Sequence, residues 1–141
     1  MNIKDWQQIK SFSAKKVELG GIWLLVVDYI AAGKILKLKA EGEWSFLPGH
    51  AQQCDPNGFL GFPLPDEKLL LSTTALGALI GKLGGSTADQ KDGTVFAIGT
   101  FAMVTVPTTT PGPLFVTINS ARGARVPVLE RLDLKVEISD P

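Results

Sequence analysis

The chain has few of the residues that carry redox, metal or acid–base chemistry. It contains one cysteine, one histidine and one tyrosine among 141 residues. Cys54 alone cannot form an intrachain disulfide, which excludes a disulfide-stapled scaffold and favours a reducing compartment. With no base placed beside it, Cys54 is more typical of a small buried side chain than of a nucleophile. The sequence also lacks a phosphate-binding glycine loop, a Gly-x-Ser-x-Gly elbow and a cluster of metal ligands.

An excess of charge of one sign is also missing. Fourteen basic and fourteen acidic side chains cancel. Nucleic-acid binders and proteins of anionic membrane surfaces usually carry a positive excess, so we expect no nucleic-acid and no membrane partner. The longest apolar run, residues 21–27, is too short to cross a bilayer, and the polar stretch 1–16 lacks the apolar core of a signal peptide. The predicted location is cytoplasmic, with leaderless export left open.

What the chain does have is a regular alternation of apolar and polar residues. Residues 131–138 alternate without a break, residues 35–44 repeat the pattern and end with Trp44 on the apolar side, and residues 114–118 show it again with Thr117 facing outward. A strand places alternate residues on one face, so each stretch predicts a strand with one buried and one wet face. Such strands are typical of antiparallel two-layer sandwiches.

Other strands are less regular. They are predicted over residues 15–19, 22–27, 76–83, 95–98 and 101–106, which gives about eight strands separated by glycine, proline and asparagine turns. The apolar run 22–27 suits a strand covered on both faces. Only residues 4–12 and 66–75 could hold a short helix. The predicted fold class is all-β, an antiparallel β-sandwich forming one domain over 1–141, in which 1–14 is allowed as a peripheral segment.

Two irregular segments interrupt the strand pattern. Residues 47–64 are rich in proline, glycine and aromatic residues, and residues 119–128 form the second segment. Loops on a rigid sheet scaffold are common places for binding sites. We therefore expect a shared pocket where these two loops meet at one end of the sandwich.

The order of several short motifs resembles one bacterial family. A strand leading to Asp28 precedes Ala-Glu-Gly-Glu-Trp at 40–44, Cys-Asp-Pro-Asn-Gly at 54–58, Gly-Ala-Leu-Ile-Gly-Lys-Leu-Gly at 77–84, Phe-Ala-Ile-Gly at 96–99, Gly-Pro-Leu at 112–114 and Ile-Asn at 118–119. Over residues 17–138 the chain resembles the PA-IL-like galactose-binding lectins and related carbohydrate-binding modules. The resemblance implies a jelly-roll sandwich of galactose-binding-like topology, and a calcium ion with a sugar beside it.

The calcium ligands that this resemblance implies are not retained. In those lectins an aspartate, a threonine and two adjacent asparagines follow the Ile-Asn pair, whereas alignment on Asn119 places at these positions Ser120, Ala124, Pro127 and Val128. Calcium takes roughly six to eight oxygen ligands, with carboxylates supplying charge. One backbone carbonyl near Phe46 makes no site, and Arg122 and Arg125 would repel a cation. We expect no cofactor, and a site that is calcium-independent or degenerate.

Six polar residues of the two loops are candidates for holding a sugar, namely His50, Gln53, Asp55, Asn57, Asn119 and Arg122. Each has a plainer alternative. His50 can be an exposed loop residue, and Asp55 lies in a sequence that favours a turn. Arg122 and Arg125 are either a solvated pair or, through their planar guanidinium groups, a site for an acidic sugar.

Aromatic residues near the first loop also have two interpretations, one in sugar binding and one in the core. Sugars bind by stacking their apolar C–H faces on aromatic rings, so Phe59 and Phe62 are either stacking platforms or part of the core. The inward strand phase of Trp44 favours the core. Trp6 and Trp23 are also expected in or near the core.

These observations predict a non-enzymatic, lectin-like module whose partner is a glycan. The alternative is a protein–protein interaction or self-assembly module built on the same fold, because a fold does not fix a function. A small hydrolase lacks any nucleophile–base pair in the sequence. The oligomeric state stays open, since a homo-oligomer would multiply weak sugar sites by avidity.

Overall fold

The protein folds into eight β-strands in the computed structural model, which describes residues 5–18, 23–45, 54–58, 69–86, 92–120 and 128–141. The strands are β1 Gln7–Glu18, β2 Leu24–Ile30, β3 Ile35–Ser45, β4 Leu79–Leu83, β5 Thr94–Ala97, β6 Phe101–Thr105, β7 Gly112–Ile118 and β8 Val128–Ser139. Within the described ranges there is no helix, and hence none that could span a membrane. The all-β prediction is confirmed.

The strands form two antiparallel sheets of four. Sheet A has the order β1-β8-β3-β6, and sheet B has the order β2-β7-β4-β5. Successive strands often lie in different sheets, so the chain crosses repeatedly between the two layers. The long alternating stretches that predict strands, 35–44 and 131–138, become β3 and β8 and pair along their whole length at the centre of sheet A.

The main core lies between the two sheets. The side chains predicted to face inward from β3, β7 and β8 are almost all buried, among them Leu36, Leu38, Ala40, Trp44, Leu114, Val116, Ile118, Leu132, Leu134 and Val136. Each fully buried aliphatic side chain contributes about 1.5–3 kcal/mol. The alternation of the sequence therefore reports correctly which face of each of these strands packs inward.

The first strand is longer than predicted. Residues 7–18 pair with β8 with a bulge between Gln8 and Lys10, so residues 7–12 are strand and not the short helix that the sequence allowed over 4–12. Phe12 packs against the core between exposed Ser11 and Ser13. Long-range pairing with β8 outweighs a weak local preference. The segment 1–14 thus contributes residues 7–14 to an edge strand. Residues 69–75 form turns and bends, not a helix.

The outer face of sheet B carries a second, smaller core. Trp23, Leu70, Ile80 and Phe115 pack together there. Thr117, predicted to face solvent, is 1% exposed because β7 is covered on both faces. The strand expected over 22–27 runs instead from 24 to 30, and its predicted coverage on both faces holds only in part.

A lysine is enclosed within this second core. The Lys82 side chain has no exposed surface, and its Nζ lies 5.0 Å from the centroid of the Trp23 ring and 5.2 Å from that of Phe115. The ammonium group donates to Asp92 Oδ1 at 2.7 Å and to Ser86 O at 2.5 Å. The segment between β4 and β5 thus returns a carboxylate to this buried charge.

Candidate functional site

The described parts of the two predicted loops meet at the start of β4. Ala78 forms an antiparallel bridge with Asn57 on one side. On the other side its carbonyl accepts a hydrogen bond from Asn119 N at 2.8 Å, and Gly77 N donates to Asn119 O at 2.8 Å. Residues 54–58 and 119–120 therefore flank one short stretch of backbone. In this part of the chain the two loops converge at one end of the sandwich.

Residues 55–58 form a tight turn at this end. Gly58 N donates to Asp55 O at 2.9 Å, and Asn57 N donates to the Asp55 carboxylate at 2.8 Å. Gly58 has φ +83, and a Cβ there would lie 2.6 Å from Ala78 N. The turn interpretation of Asp55 is thus correct. Its side chain is also exposed, so the carboxylate can still meet a ligand.

Asn57 connects the turn to a neighbouring hairpin. Its Oδ1 accepts a hydrogen bond from Thr100 N at 3.1 Å, and a Cβ added at Gly99 would lie 2.6 Å from the same atom. Gly99 and Thr100 form the turn between β5 and β6. Asn57 is exposed and positions this turn through the oxygen of its amide.

Asn119 is an anchor of the protein's own backbone. It is fully buried, and its amide nitrogen donates to Leu71 O at 3.0 Å, Thr74 O at 3.0 Å and Ala75 O at 3.2 Å. Its amide oxygen accepts from Leu71 N at 2.9 Å. Both N–H groups and the oxygen are thus committed to residues 71–75. The side chain holds the segment before β4 against the end of β7, which is a structural role at the position predicted to contact a sugar.

The remaining candidates fall in other parts of the chain. His50, Gln53 and Arg122 lie outside the described residues, as do Arg125, Phe46, Phe59 and Phe62. Their assignment to a sugar site stays a prediction. Among the six candidates, the structure brings together Asp55, Asn57 and Asn119. Asn57 and Asn119 both pair with Ala78, and Asp55 accepts a hydrogen bond from Asn57 N.

Cys54 and Trp44 lie on the core side of this end of the sandwich. They form a bridge through two backbone hydrogen bonds of 2.9 and 3.1 Å, and Trp44 Nε1 donates to Gly77 O at 2.7 Å. Trp44 has no exposed surface and is core, as its phase predicts, so it offers no platform to a sugar. Burial, with a smaller contribution from the negative charge of Asp55, raises the pKa of the Cys54 thiol to about 12. The thiol is therefore protonated and inert at neutral pH.

The described residues do not fit a calcium ion at this end. Asn119 Oδ1 already accepts a backbone hydrogen bond, and the carbonyl of buried Ser120 accepts one from Leu70 N at 3.2 Å. In the ranges that the structure describes, no three Asp, Glu, His or Cys side chains are arranged to hold a metal. A hard divalent cation needs several free carboxylate or carbonyl oxygens, which these residues do not supply.

A groove next to the turn was not foreseen from the sequence. It crosses the outer face of sheet A as a depression open to solvent, with a volume of about 690 Å³, and is lined by Ser11, Lys39, Ala40, Glu41, Thr100, Phe101, Asp133, Leu134 and Lys135. Thr100, which Asn57 holds in place, forms part of its wall. The alternation of β3 and β8 predicts that Lys39, Glu41 and Asp133 face outward, but only the strand register shows which side chains become neighbours.

Comparisons with known proteins define the fold. No protein-family model and no curated protein matches the chain. A solved structure does: it is described as the N-terminal domain of EclA, a PllA-like lectin. It matches 95% of this chain and 98% of its own with a TM-score of 0.54, at 16% sequence identity. The chain therefore has a lectin-like β-sandwich fold.

Proposed function

We propose that the protein is a carbohydrate-binding, lectin-like module that works without calcium and catalyses no reaction. The observation that carries this proposal is the match of 95% of the chain to a domain described as a lectin. The convergence of residues 54–58 and 119–120 on the start of β4 supports it, because loops brought together by a rigid sheet scaffold commonly form ligand sites.

The proposed sugar site lies at this loop end. Asp55 presents an exposed carboxylate on a rigid turn, and such a group can accept hydrogen bonds from sugar hydroxyls. His50, Gln53 and Arg122 are proposed to complete the site from the same loops. If Arg122 and Arg125 both face the ligand, an acidic sugar would be preferred, because the guanidinium fork matches a carboxylate.

Calcium independence is supported by the use of the polar atoms that remain. The amide oxygen of Asn119 and the carbonyl of Ser120 already accept backbone hydrogen bonds, and an arginine-bearing loop would repel a cation. A thiol nucleophile is disfavoured by the raised pKa of Cys54, the one cysteine of the chain. Binding would then depend on hydrogen bonds and on contact with apolar ring faces.

A glycan array tests this proposal when it is run once with calcium and once with a chelator. We expect binding that is equal in the two conditions. It should weaken in Asp55→Ala and in the double variant Arg122→Ala/Arg125→Ala. Lys10→Ala, an exposed change on β1, is the matched control and should bind like the unmodified protein. Binding that disappears with chelator would show that calcium independence is wrong.

A second candidate function is self-assembly or protein–protein interaction. Phe101 and Met103 are 53% and 51% exposed and lie next to each other on the outer face of β6, the edge strand of sheet A. An edge strand with apolar side chains can add a strand from another chain. No glycan binding in either array condition, together with a concentration-dependent dimer in sedimentation, would favour this function.

A further inference from the structure

The groove on sheet A differs from the proposed loop-end site in its position. It lies across the outer faces of all four strands, and none of its lining residues belongs to the loops 47–64 or 119–128. Its volume of about 690 Å³ falls within the range of about 300–1,000 Å³ found for small-molecule sites. The groove is therefore large enough to hold a small molecule.

The register of the strands sets like charges side by side in the groove. Lys39 lies directly opposite Lys135, and in the next row Glu41 lies directly opposite Asp133. Like charges placed opposite each other destabilise a sheet. A ligand bound in the groove could use all four of these groups.

Two of these charged groups have no partner in the described part of the chain. Asp133 accepts hydrogen bonds from Ser13 Oγ at 2.8 Å and from Arg131 at 2.6 Å, which lower the pKa of its carboxyl. Lys39 approaches Glu137 only at 4.0 Å. Glu41 and Lys135 make no ion pair or side-chain hydrogen bond with any other described residue. They are therefore able to bind a ligand without breaking an internal contact.

The balance of positive and negative side chains in the groove favours one class of ligand. Two ammonium groups and two carboxylates line the groove, so neither an anion nor a cation meets a uniform field. A neutral ligand that carries many hydroxyl groups can accept hydrogen bonds from the lysines and donate them to the carboxylates. This favours a polyol over a phosphate, a nucleic acid or an acidic peptide.

An exposed aromatic ring completes the arrangement. Phe101 closes one end of the row that begins at Ser11 and continues through Lys135 and Lys39. Its ring is 53% exposed, although a phenylalanine gains most when it is buried. A sugar ring, with one apolar C–H face and hydroxyl groups at its rim, matches an aromatic surface bordered by hydrogen-bonding groups.

We infer that this groove is a second binding site, for a neutral saccharide, in which Phe101 packs against a sugar ring while Glu41 and Lys135 bind its hydroxyl groups. The inference rests on the proposed function for the class of ligand, and on the groove alone for the site. Asn57 is a positioning residue for this second site, because its amide oxygen accepts a hydrogen bond from Thr100 N in the wall of the groove.

The test is a titration of isotope-labelled protein with defined sugars, followed by amide chemical shifts. The probes are lactose, maltotriose and cellotetraose as neutral ligands, with sialyllactose as the acidic comparison. We expect the neutral sugars to shift the amide signals of Ser11, Glu41 and Thr100. Phe101→Ala should weaken this binding about tenfold, and Glu41→Gln should also weaken it.

The chain offers a matched control on the same strand. Met103→Ala removes an equally exposed side chain from the same face of β6, outside the groove, and should leave sugar affinity within about twofold. Phe101, Glu41 and Met103 are all exposed, so each variant should fold, which a thermal melt will verify.

Each remaining outcome overturns the inference in a distinguishable way. Neutral sugars that shift residues 54–58 and 118–120 and still bind Phe101→Ala would remove the groove site and leave the proposed function intact. The absence of shifts with any sugar would remove both. Shifts at Phe101 and Met103 that depend on protein concentration alone, with a dimer in sedimentation, would identify a second copy of the chain as the occupant.

Discussion

The ammonium group of Lys82 lies 2.7 Å from Oδ1 of Asp92, while the lysine side chain has no exposed surface. The pair joins the outer core of sheet B to the segment before β5, and Ser86 N also donates to the Asp92 carboxylate at 2.9 Å. These hydrogen bonds, that of Lys82 first, lower the pKa of the Asp92 carboxyl. One exposed carboxylate thus makes the burial of a lysine tolerable.

Removal of the Asp92 carboxylate alone should lower the stability of the fold more than removal of both members of the pair. Asp92→Ala removes a carboxylate that lies 2.7 Å from the buried Lys82 ammonium, and a buried charge tolerates such a loss poorly. In the double variant Lys82→Met/Asp92→Ala the buried group is apolar and fits between Trp23 and Phe115. We expect the urea midpoint to fall in Asp92→Ala and to recover, in part or fully, in the double variant. A double variant less stable than Asp92→Ala would contradict this account.

The amide of Asn119 should prove to be a structural requirement. Asn119→Ala removes the partners of three carbonyls and one N–H in residues 71–75, and we expect a loss of about 2–4 kcal/mol in the free energy of unfolding. Asn57→Ala is the comparison, since its exposed amide provides one backbone contact, and should cost about 1 kcal/mol or less. Urea unfolding measures both. Equal and small losses would show that the Asn119 hydrogen bonds add little.

The thiol of Cys54 should be unreactive in the folded protein. With a pKa of about 12 it holds far less thiolate at pH 8 than an ordinary cysteine, on the order of a thousandfold less. A colorimetric thiol reagent should therefore label the native protein slowly and the urea-unfolded protein at the normal rate. Fast labelling of the native protein would mean that this end of the sandwich opens readily.

The stability of the protein in acid should depend on the carboxyl of Asp133, which lines the groove. Its pKa is lowered by the hydrogen bond from Ser13 and by Arg131. Because the folded pKa lies below the unfolded one, the associated stability is present above the ordinary pKa of about 3.9 and is lost as the pH falls through the folded pKa. Ser13→Ala should raise the Asp133 pKa in an NMR titration and make stability less sensitive to acid below pH 4.

The turn at the loop end should depend on Gly58 for two reasons, of which only one applies at Gly33. Gly58 has φ +83 and no room for a Cβ beside Ala78 N, whereas Gly33 has φ +85 and nothing within 4 Å. We expect Gly33→Ala to cost about 1–2 kcal/mol from the left-handed backbone alone. Gly58→Ala should cost clearly more, because backbone atoms must also move. Thermal melts of the two variants will separate these contributions.

Much of the fold could be predicted because alternation reports burial directly. The apolar side of 131–138 is the buried side of β8, and the phase of 35–44 placed Trp44 in the core. The turn at 55–58 could also be predicted, since Asp, Pro, Asn and Gly each favour it for a local physical reason. Both features depend on residues that are close together in the chain, so the sequence alone predicts them.

What could not be predicted depends on residues that are distant in the sequence. Nothing near Lys82 indicates that Trp23 and Phe115 enclose it, or that Asp92 returns to it. The helix allowed over 4–12 gave way to a strand because β8 supplies its partner. The groove likewise arises from register: the sequence shows that Glu41 and Lys135 face outward, but not which residues lie beside them.

The pairing of β1 with β8 also has a kinetic consequence. Ser13 and Asp133 are hydrogen-bonded although they lie 120 positions apart, and β8 also separates β1 from β3 within the sheet. Proteins dominated by such distant contacts have a high contact order and typically fold in milliseconds to seconds. On a ribosome, β1 must wait for β8 to be synthesised before either can take its place. Until then the edge of β3 that pairs with β8 remains open, and this is the interval in which aggregation would compete with folding.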